Sequence, residues 1–393
     1  MKTRVAMMFG GKSVEHEVSV ITGIQALLSM DTEQYDAIPV YLTKKNEMYV
    51  GEDIGKIECY KDIPSLLKRS QRVILVNEGG RFLLQPFPQK LFGGKKAIEI
   101  DVAFPAVHGT NVEDGTLQGY LKTVGIPFVG CDVTASAVGM EKFVQKAVLK
   151  EYDIPLLPAK IYKLSDYAKL DTLLDSVEMT FGYPVIVKPV NLGSSVGISV
   201  AKDREALTQA MDDGFRYSTK VIVEHAISKL REINCAVLGD ENDAEASEIE
   251  EPMHTEEILS YEDKYVSNAK GSGQKGMASV ARKIPAEVPK EMREEIRSLA
   301  VKAFQALGCN GVARIDFMID EETGRLYFNE INTIPGSLAF YLWEPLGVPY
   351  RELLNRMIKL ALKRVRTEQA ITFSFDTNIL NTASFGGSKG AKR

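Results

Sequence analysis

The stretch VARIDFMIDEETGRLYFNEIN, Val312 to Asn332, reads as two alternating strands joined by the turn-forming DEETG. Alternation puts Ala313, Ile315, Phe317 and Ile319 on one face of the first strand and Arg314 and Asp316 on the other. On the second strand Glu330 and Asn332 share a face. If the ribbon folds symmetrically about Thr323, Asp316 faces Glu330 and Arg314 faces Asn332, with opposed side chains about 5 Å apart. Two carboxylates that close repel, so something positive must lie between them. An all-oxygen set of Asp316, Glu330 and Asn332 suits a hard cation such as Mg²⁺ bound together with phosphates. Arg314 cannot ligate a metal but can stabilise a phosphate or a developing oxyanion. A surface hairpin with an ordinary Arg–carboxylate pair is the competing account.

Upstream, YPVIVKPVNLGSSVG ends an apolar strand on Lys188 and continues into Gly193, Ser194, Ser195 and Gly197. A point charge followed by a loop of backbone N–H groups can wrap phosphate oxygens, although a glycine-rich hairpin turn has the same composition. Lys142, on the preceding helix, adds a second, well-separated cation for a triphosphate. Nearer the start, AVHGTNVEDG closes a strand where open α/β sheets tend to bind ligands. His108, Glu113 and Asp114 could orient an ammonium group there, or simply build a capping turn. In GGKSVEHEVS, Glu15 follows the first strand in the corresponding position, with Glu17 as the competing helix-start carboxylate.

Around these motifs the chain alternates. A strand over Arg4 to Phe9, a helix over Val18 to Met30 and a strand over Ala37 to Leu42 begin an α/β pattern. That first domain is expected to end near Ala135. From Ser136 a single helix is expected to run to Tyr152, stopped by Pro155 and Pro158. YPVIVKPV, VGISVAK and KVIVEHA then read as antiparallel strands. Residues 240–257 carry nine Asp or Glu among eighteen and read as a solvated face or loop rather than a metal site. Glu287 to Leu307 and Arg351 to about Arg366 read as helices, and the end of the chain as a mobile tail.

The 393 residues are 45% hydrophobic and 26% charged, which suits a globular chain of two or three domains. A net charge of -5 argues against nucleic acid or an anionic membrane as partner. No apolar run approaches a membrane span, and the opening residues do not read as a signal peptide. Cys59, Cys131, Cys235 and Cys309 lie more than 70 residues apart in sequence, so a reduced, cytoplasmic setting is expected without paired-cysteine chemistry. Two familiar patterns are set aside. FGGKS lacks the first glycine of a P-loop, having Ala6 in its place, and GSGQKG at Gly271 to Gly276 lacks the strand and helix that a dinucleotide site needs.

Taken in order, GGKSVEHEVS, HGTNVEDGTLQG, VIVKPVNLGSSVG, YEDKY, ARIDFM and NEINTIPG resemble the signature series of the D-alanine–D-alanine ligases, members of the ATP-grasp superfamily. The resemblance covers about Arg4 to Arg364. It implies an α/β fold, α+β in part, of three-domain ATP-grasp architecture with an N-terminal parallel-sheet domain. The divisions expected are residues 1–135, 136–222 and 223–370, with a tail over 371–393. The implied reaction phosphorylates the carboxylate of one D-alanine, after which the amine of a second attacks the acyl phosphate. ATP and two Mg²⁺, for which Mn²⁺ can substitute, would be required, and a homodimer is implied.

By position, the resemblance assigns Lys142, Lys188 and Ser195 to the nucleotide phosphates, Glu224, His225 and Ile227 to the adenine site and Glu232 to the ribose. Asp316, Glu330 and Asn332 would bind the metal. Lys264 would neutralise the transferring phosphoryl, with Arg314 and the Gly336 N–H as the oxyanion hole. Glu15, Ser194 and Tyr265 would form a network near the first D-alanine, with His108 close by, and the segment around Tyr265 would be the lid. Two departures stand out. Phe340, Tyr341 and Leu342 stand at the positions of the family's His-Ser-Leu, whose serine helps hold the second substrate's carboxylate, so Tyr341 is expected to offer its hydroxyl instead. SKLRE replaces the usual glycine-containing turn before Glu232. A D-serine or other acceptor, and a nucleotide-binding regulator without turnover, are the alternatives.

Overall fold

The structure, a computed structural model, describes residues 2–89, 96–193, 196–253 and 282–374. Among them, three sheets follow one another along the chain. The first joins β1 (Thr3–Gly10), β2 (Tyr35–Leu42), β3 (Met48–Val50), β4 (Gln71–Glu78), β5 (Arg81–Pro86), β6 (Ile98–Ile100) and β7 (Val102–Pro105) in the order β6-β5-β4-β3-β2-β1-β7. Only β1 with β2 and β1 with β7 are parallel. The sheet is therefore mixed rather than parallel throughout, because short turns such as Gly79–Gly80, both at positive φ, join β4 to β5 and permit only antiparallel pairing. Val5 to Phe9 of β1 are buried on both faces, as a central strand between helices requires.

Helices α1 (His16–Ser29), α2 (Ile63–Arg69) and α3 (Thr116–Val124) accompany this sheet. The single helix expected from Ser136 is two, α4 (Val133–Met140) and α5 (Lys142–Lys150). Glu141 between them is extended, at φ -97° and ψ 100°. Its carboxylate accepts the Val144 N–H at 2.7 Å, and the Lys142 N–H goes to Val190 O at 2.8 Å instead of to its own helix. Periodicity carries straight through this break, yet the second half buries Lys142, Gln145, Lys146 and Leu149 and leaves Val144 exposed. A side-chain cap and a tertiary hydrogen bond decide it.

The second sheet, β8 (Ala159–Lys163), β9 (Val185–Pro189), β10 (Ser199–Ala201) and β11 (Lys220–His225), is antiparallel in the order β10-β9-β11-β8. It is covered by α6 (Leu170–Phe181) and α7 (Arg204–Tyr217), whose apolar stripes close on Val187 and Val223. The third comprises β12 (Leu230–Gly239), β13 (Ala244–Pro252), β14 (Arg282–Lys283), β15 (Gly311–Asp320) and β16 (Arg325–Asn332), in the order β14-β13-β12-β15-β16. α8 (Lys290–Ala306) packs beneath it through Ile296, Ala300 and Phe304. α9 (Tyr350–Glu368) seats Leu353, Leu354 and Ile358 in the core of the first sheet, so the end of the described chain returns to its beginning.

One more expectation is corrected here. The acidic stretch is not a solvated loop in its described part: β13 buries Ser247, Glu248 and Glu250. The carboxylates are tolerated because Arg293 pairs with Glu248 and Arg282 with Glu250. Cys131 and Cys309, distant in sequence, are both buried as free thiols, and the Cys131 thiol donates to Asn310 O at 3.6 Å. Among the described residues no helix is long and apolar enough to cross a membrane.

Candidate active site

The β15–β16 ribbon pairs Arg314 with Asn332 and Asp316 with Glu330, the register symmetric about Thr323. A bulge after Asp316 shifts the rest, so Phe317 pairs with Phe328. The bulge separates a polar upper half, which faces a cleft of about 1100 Å³, from an apolar lower half in the core. Arg314 forks Asp316 through Nε and Nη2, both at 2.7 Å, and Asn332 Nδ2 donates to Asp316 at 3.0 Å. The pair is largely enclosed, each side chain 13% exposed, unlike the surface pair of the competing account. Burial, with Glu330 and Glu232 nearby, pushes the Asp316 carboxyl up to about 6 against the pull of Arg314.

Lys142, the first residue of α5, reaches Glu330 at 3.0 Å and donates to Leu192 O at 2.7 Å. Lys188 contacts Glu224 at 2.9 Å and Asn329 at 3.1 Å, while Lys146, one turn after Lys142, holds the other Glu224 oxygen at 2.6 Å. Glu224 is fully buried and clamped between two ammonium groups. It anchors Lys188 and also lines the cleft. Burial opposes its ionisation, but Lys188 and Lys146 hold it at about 2. His225, Ile227 and Glu232 line the same end of the cleft, together with Ile186, Phe317 and Met318. This is an apolar slot suited to a flat ring.

The turn after β16 is held from both sides. Ser337, Leu338 and Ala339 lie at φ of 50° to 52°, a left-handed run costing roughly 1 to 2 kcal/mol per residue. Glu113 accepts the N–H groups of Gly109 and Ile334, both at 2.9 Å, and the Thr333 hydroxyl at 3.3 Å. His108 Nδ1 donates to Ile334 O at 2.8 Å, which leaves Nε2 to accept from Thr22 Oγ1 at 2.7 Å. Thr22 Oγ1 in turn accepts the Ser337 N–H at 3.0 Å, and the Ser337 hydroxyl donates to Gln25 at 2.7 Å. Glu113 and His108 thus fix the strained turn that carries Gly336, and their polar atoms are used in doing so. An added Cβ at Gly109 would meet the Glu15 carboxylate at 2.6 Å and one at Gly193 at 3.1 Å, so Glu15 sits in a cradle of two glycines at the cleft wall.

A pH dependence follows from His108. Burial lowers its pKa from 6.5 to about 4. Its stabilising share is present above 6.5 and is lost as the pH falls toward 4, in total on the order of 3 kcal/mol. Wild type is expected to lose thermal stability relative to His108→Asn on acidification from pH 6.5 to 4.5. Parallel melting curves for the two proteins across that window would count against the clamp.

Other sequence candidates fall elsewhere. Asp114 accepts from the Asn111 and Thr116 N–H groups as a capping turn and does not line the cleft. Glu17 pairs with Lys44 at 2.7 Å on the surface. Leu342 is fully buried in the first core, where a leucine belongs and a substrate does not reach. Tyr341 is buried too, and its hydroxyl donates to Glu250 at 3.2 Å rather than toward the cleft. Ser194, Ser195, Lys264, Tyr265 and GSGQKG lie outside the described residues.

Residues 4–131 match the family model "D-ala D-ala ligase N-terminus" and residues 148–359 match "D-ala D-ala ligase C-terminus". The chain belongs to the D-alanine–D-alanine ligase family. The D-alanine–D-alanine ligase of Caldicellulosiruptor bescii is 40% identical over 388 residues, covering 95% of this chain and 99% of its own. That of Geobacillus kaustophilus is 39% identical, covering 95% and 99%. Among solved structures, the D-alanine–D-alanine ligase from Coxiella burnetii superposes with a TM-score of 0.76 at 28% identity, covering 94% of this chain and 96% of that one. The VanG D-Ala:D-Ser ligase from Enterococcus faecalis gives 0.75 at 29%, covering 92% and 100%. Ligases of this family use ATP and Mg²⁺. In this member, sequence reasoning missed Lys146, Thr22, Gln25 and Glu250. Only Lys146 carried a signal, its i, i+4 spacing from Lys142 on one helix face.

Proposed function

We propose that this chain is an ATP-dependent ligase that joins two D-alanines for peptidoglycan synthesis. The observation that carries the reading is the largely enclosed Arg314–Asp316 pair, flanked by Glu330 and Asn332, in one cleft with Lys142 and Lys188. The first D-alanine carboxylate attacks the γ-phosphorus of ATP, giving D-alanyl phosphate and ADP. The amine of the second then attacks the acyl carbon, and phosphate leaves. Lys142 and Lys188 orient the phosphates, Ile227 and its apolar neighbours hold the adenine, and Glu232 holds the ribose. Arg314 and the Gly336 N–H stabilise the oxyanion formed at the acyl carbon. Glu15, with Ser194 and Tyr265, holds the first D-alanine, and Lys264 and Ser195 serve the phosphates.

The residues fit magnesium. Asp316, Glu330 and Asn332 offer oxygen donors on one ribbon face, and the acidic excess that raises Asp316 is the surroundings a hard cation offsets. When bound, two such ions would supply charge neutralisation at the phosphates. We also propose the divisions at about residues 135 and 222, pairing of two copies through the first domain, and a cytoplasmic setting.

Phosphate release from ATP that depends on D-alanine, with D-alanyl-D-alanine identified by mass spectrometry, tests the reading. ATP turnover indifferent to D-alanine would refute it. The likeness to a D-Ala:D-Ser ligase, with the changed Phe340 and Tyr341, favours D-serine as the second acceptor to include.

A further inference from the structure

Side chains of one face form a continuous row across the third sheet. Register places Glu330 opposite Asp316, Asp316 opposite Asn234 and Asn234 opposite Glu250. At about 4.8 Å per strand the row spans roughly 14 Å. Lys142 stands at its Glu330 end, Arg314 forks Asp316 within it, and Arg282 stands at its far end. All of these groups line the cleft.

The Arg282 end is built around Glu250, which is 2% exposed. Arg282 Nη1 donates to one Glu250 oxygen at 2.8 Å, while Asn234 Nδ2 at 3.0 Å and the Tyr341 hydroxyl at 3.2 Å donate to the other. The Arg282 guanidinium carbon lies 3.9 Å from the centre of the Tyr341 ring. Stacking and a carboxylate anchor together remove the rotational freedom of a guanidinium and aim its donor plane, the arrangement that recognises a carboxylate by a planar fork. Of the residues at the family's His-Ser-Leu positions only Phe340 and Tyr341 depart; Phe340 stacks on Tyr350, while Leu342 keeps the leucine and fills the core. Only Tyr341 reaches polar groups, and it reaches Glu250.

We propose that Arg282 binds the carboxylate of the second amino acid, with Glu250 and Tyr341 as positioning residues. The inference rests on the ligase reading above. The acceptor would lie between Arg282 and Arg314, its carboxylate on the former and its amine toward the acyl carbon held by the latter. The nucleotide lysines are at the opposite end of the row, so donor phosphate and acceptor carboxylate are kept apart by the geometry of the sheet.

The test compares D-alanine with D-alaninamide as acceptor, at saturating donor D-alanine and ATP, in wild type, Arg282→Met, Arg282→Lys and Tyr341→Phe. Wild type without D-alanine-dependent phosphate release would defeat the ligase reading itself. With that release established, Arg282→Met is expected to raise the KM of the second D-alanine roughly 10- to 100-fold and to erase the preference for D-alanine over D-alaninamide. The KM of the first D-alanine should move less than about twofold, and Arg282→Lys should recover part of the preference. Tyr341→Phe, which keeps the ring and the fold, is expected to raise the acceptor KM about three- to tenfold. An unchanged acceptor preference in Arg282→Met, or acceptor and donor KM rising together, would overturn the proposal. If Arg282→Met does not fold, an acceptor KM unchanged in Tyr341→Phe would overturn it equally.

Discussion

Replacing Arg314 by alanine is expected to lower turnover by about 10² to 10³. The guanidinium is largely enclosed, locked to Asp316 by two 2.7 Å hydrogen bonds, and lines the same cleft as Gly336. Such a donor is oriented before the oxyanion forms, so it costs no reorganisation when charge develops. Loss of the same residue also leaves Asp316 beside Glu330 and Glu232 without its counter-charge, which weakens any metal held there. Two causes can therefore lower the rate, and a magnesium titration separates them. If Arg314 acts at the reacting centre, the Ala variant stays slow at saturating magnesium. Recovery to near wild-type turnover at high magnesium would reduce Arg314 to a partner of Asp316. Arg314→Lys is expected to recover only part of the rate, because an ammonium cannot span both carboxylate oxygens in a plane.

Alternation alone was enough to place Arg314, Asp316, Glu330 and Asn332 on one face, since a strand has only two faces and apolar residues claim one. The bulge after Asp316 left no trace in the letters, because the unpaired residue, Asn329, lies between Phe328 and Glu330 in a stretch that reads as a regular strand. Glu250 was hidden for a related reason. A run of carboxylates looks solvated until the arginines that neutralise it, Arg282 and Arg293, arrive from distant segments. The strained turn at Ser337 to Ala339 was equally illegible, since nothing in SLA asks for positive φ. It is imposed from outside by Thr22 and Gln25 of α1 and by core packing of Leu338 and Ala339. His108, Glu113 and Tyr341 were legible as unusual, but their partners were not. The partners add a supporting role to each: His108 and Glu113 line the cleft and also hold the turn, and Tyr341 holds Glu250.

Glu224→Gln is expected to destabilise the protein by about 3 to 5 kcal/mol, the cost of leaving buried charge without its counter-ion. Lys146 and Lys188 both face this one carboxylate from buried positions, and each is also close enough to affect the other's charge. The two lysines are not equivalent. Burial is the largest influence on both, and it prevails at Lys146, whose pKa is lowered. At Lys188, Glu224 and then Glu330 outweigh it and raise the pKa. Lys146 is thus the member that can shed its proton or be dispensed with once Glu224 is neutral, while Lys188 must remain charged to meet a phosphate. The double variant Glu224→Gln, Lys146→Met removes one charge of each sign and is expected to regain at least half of the loss measured in urea unfolding. Simple additivity of the two single variants would show that the three groups do not act as a unit. The nucleotide offers an internal check. ATP brings anions to Lys188 where Glu224 no longer does, so it should raise the melting temperature of Glu224→Gln by more degrees than that of Lys188→Met at equal concentration. Equal shifts would place Lys188 away from the phosphates and leave Lys142 as their principal anchor.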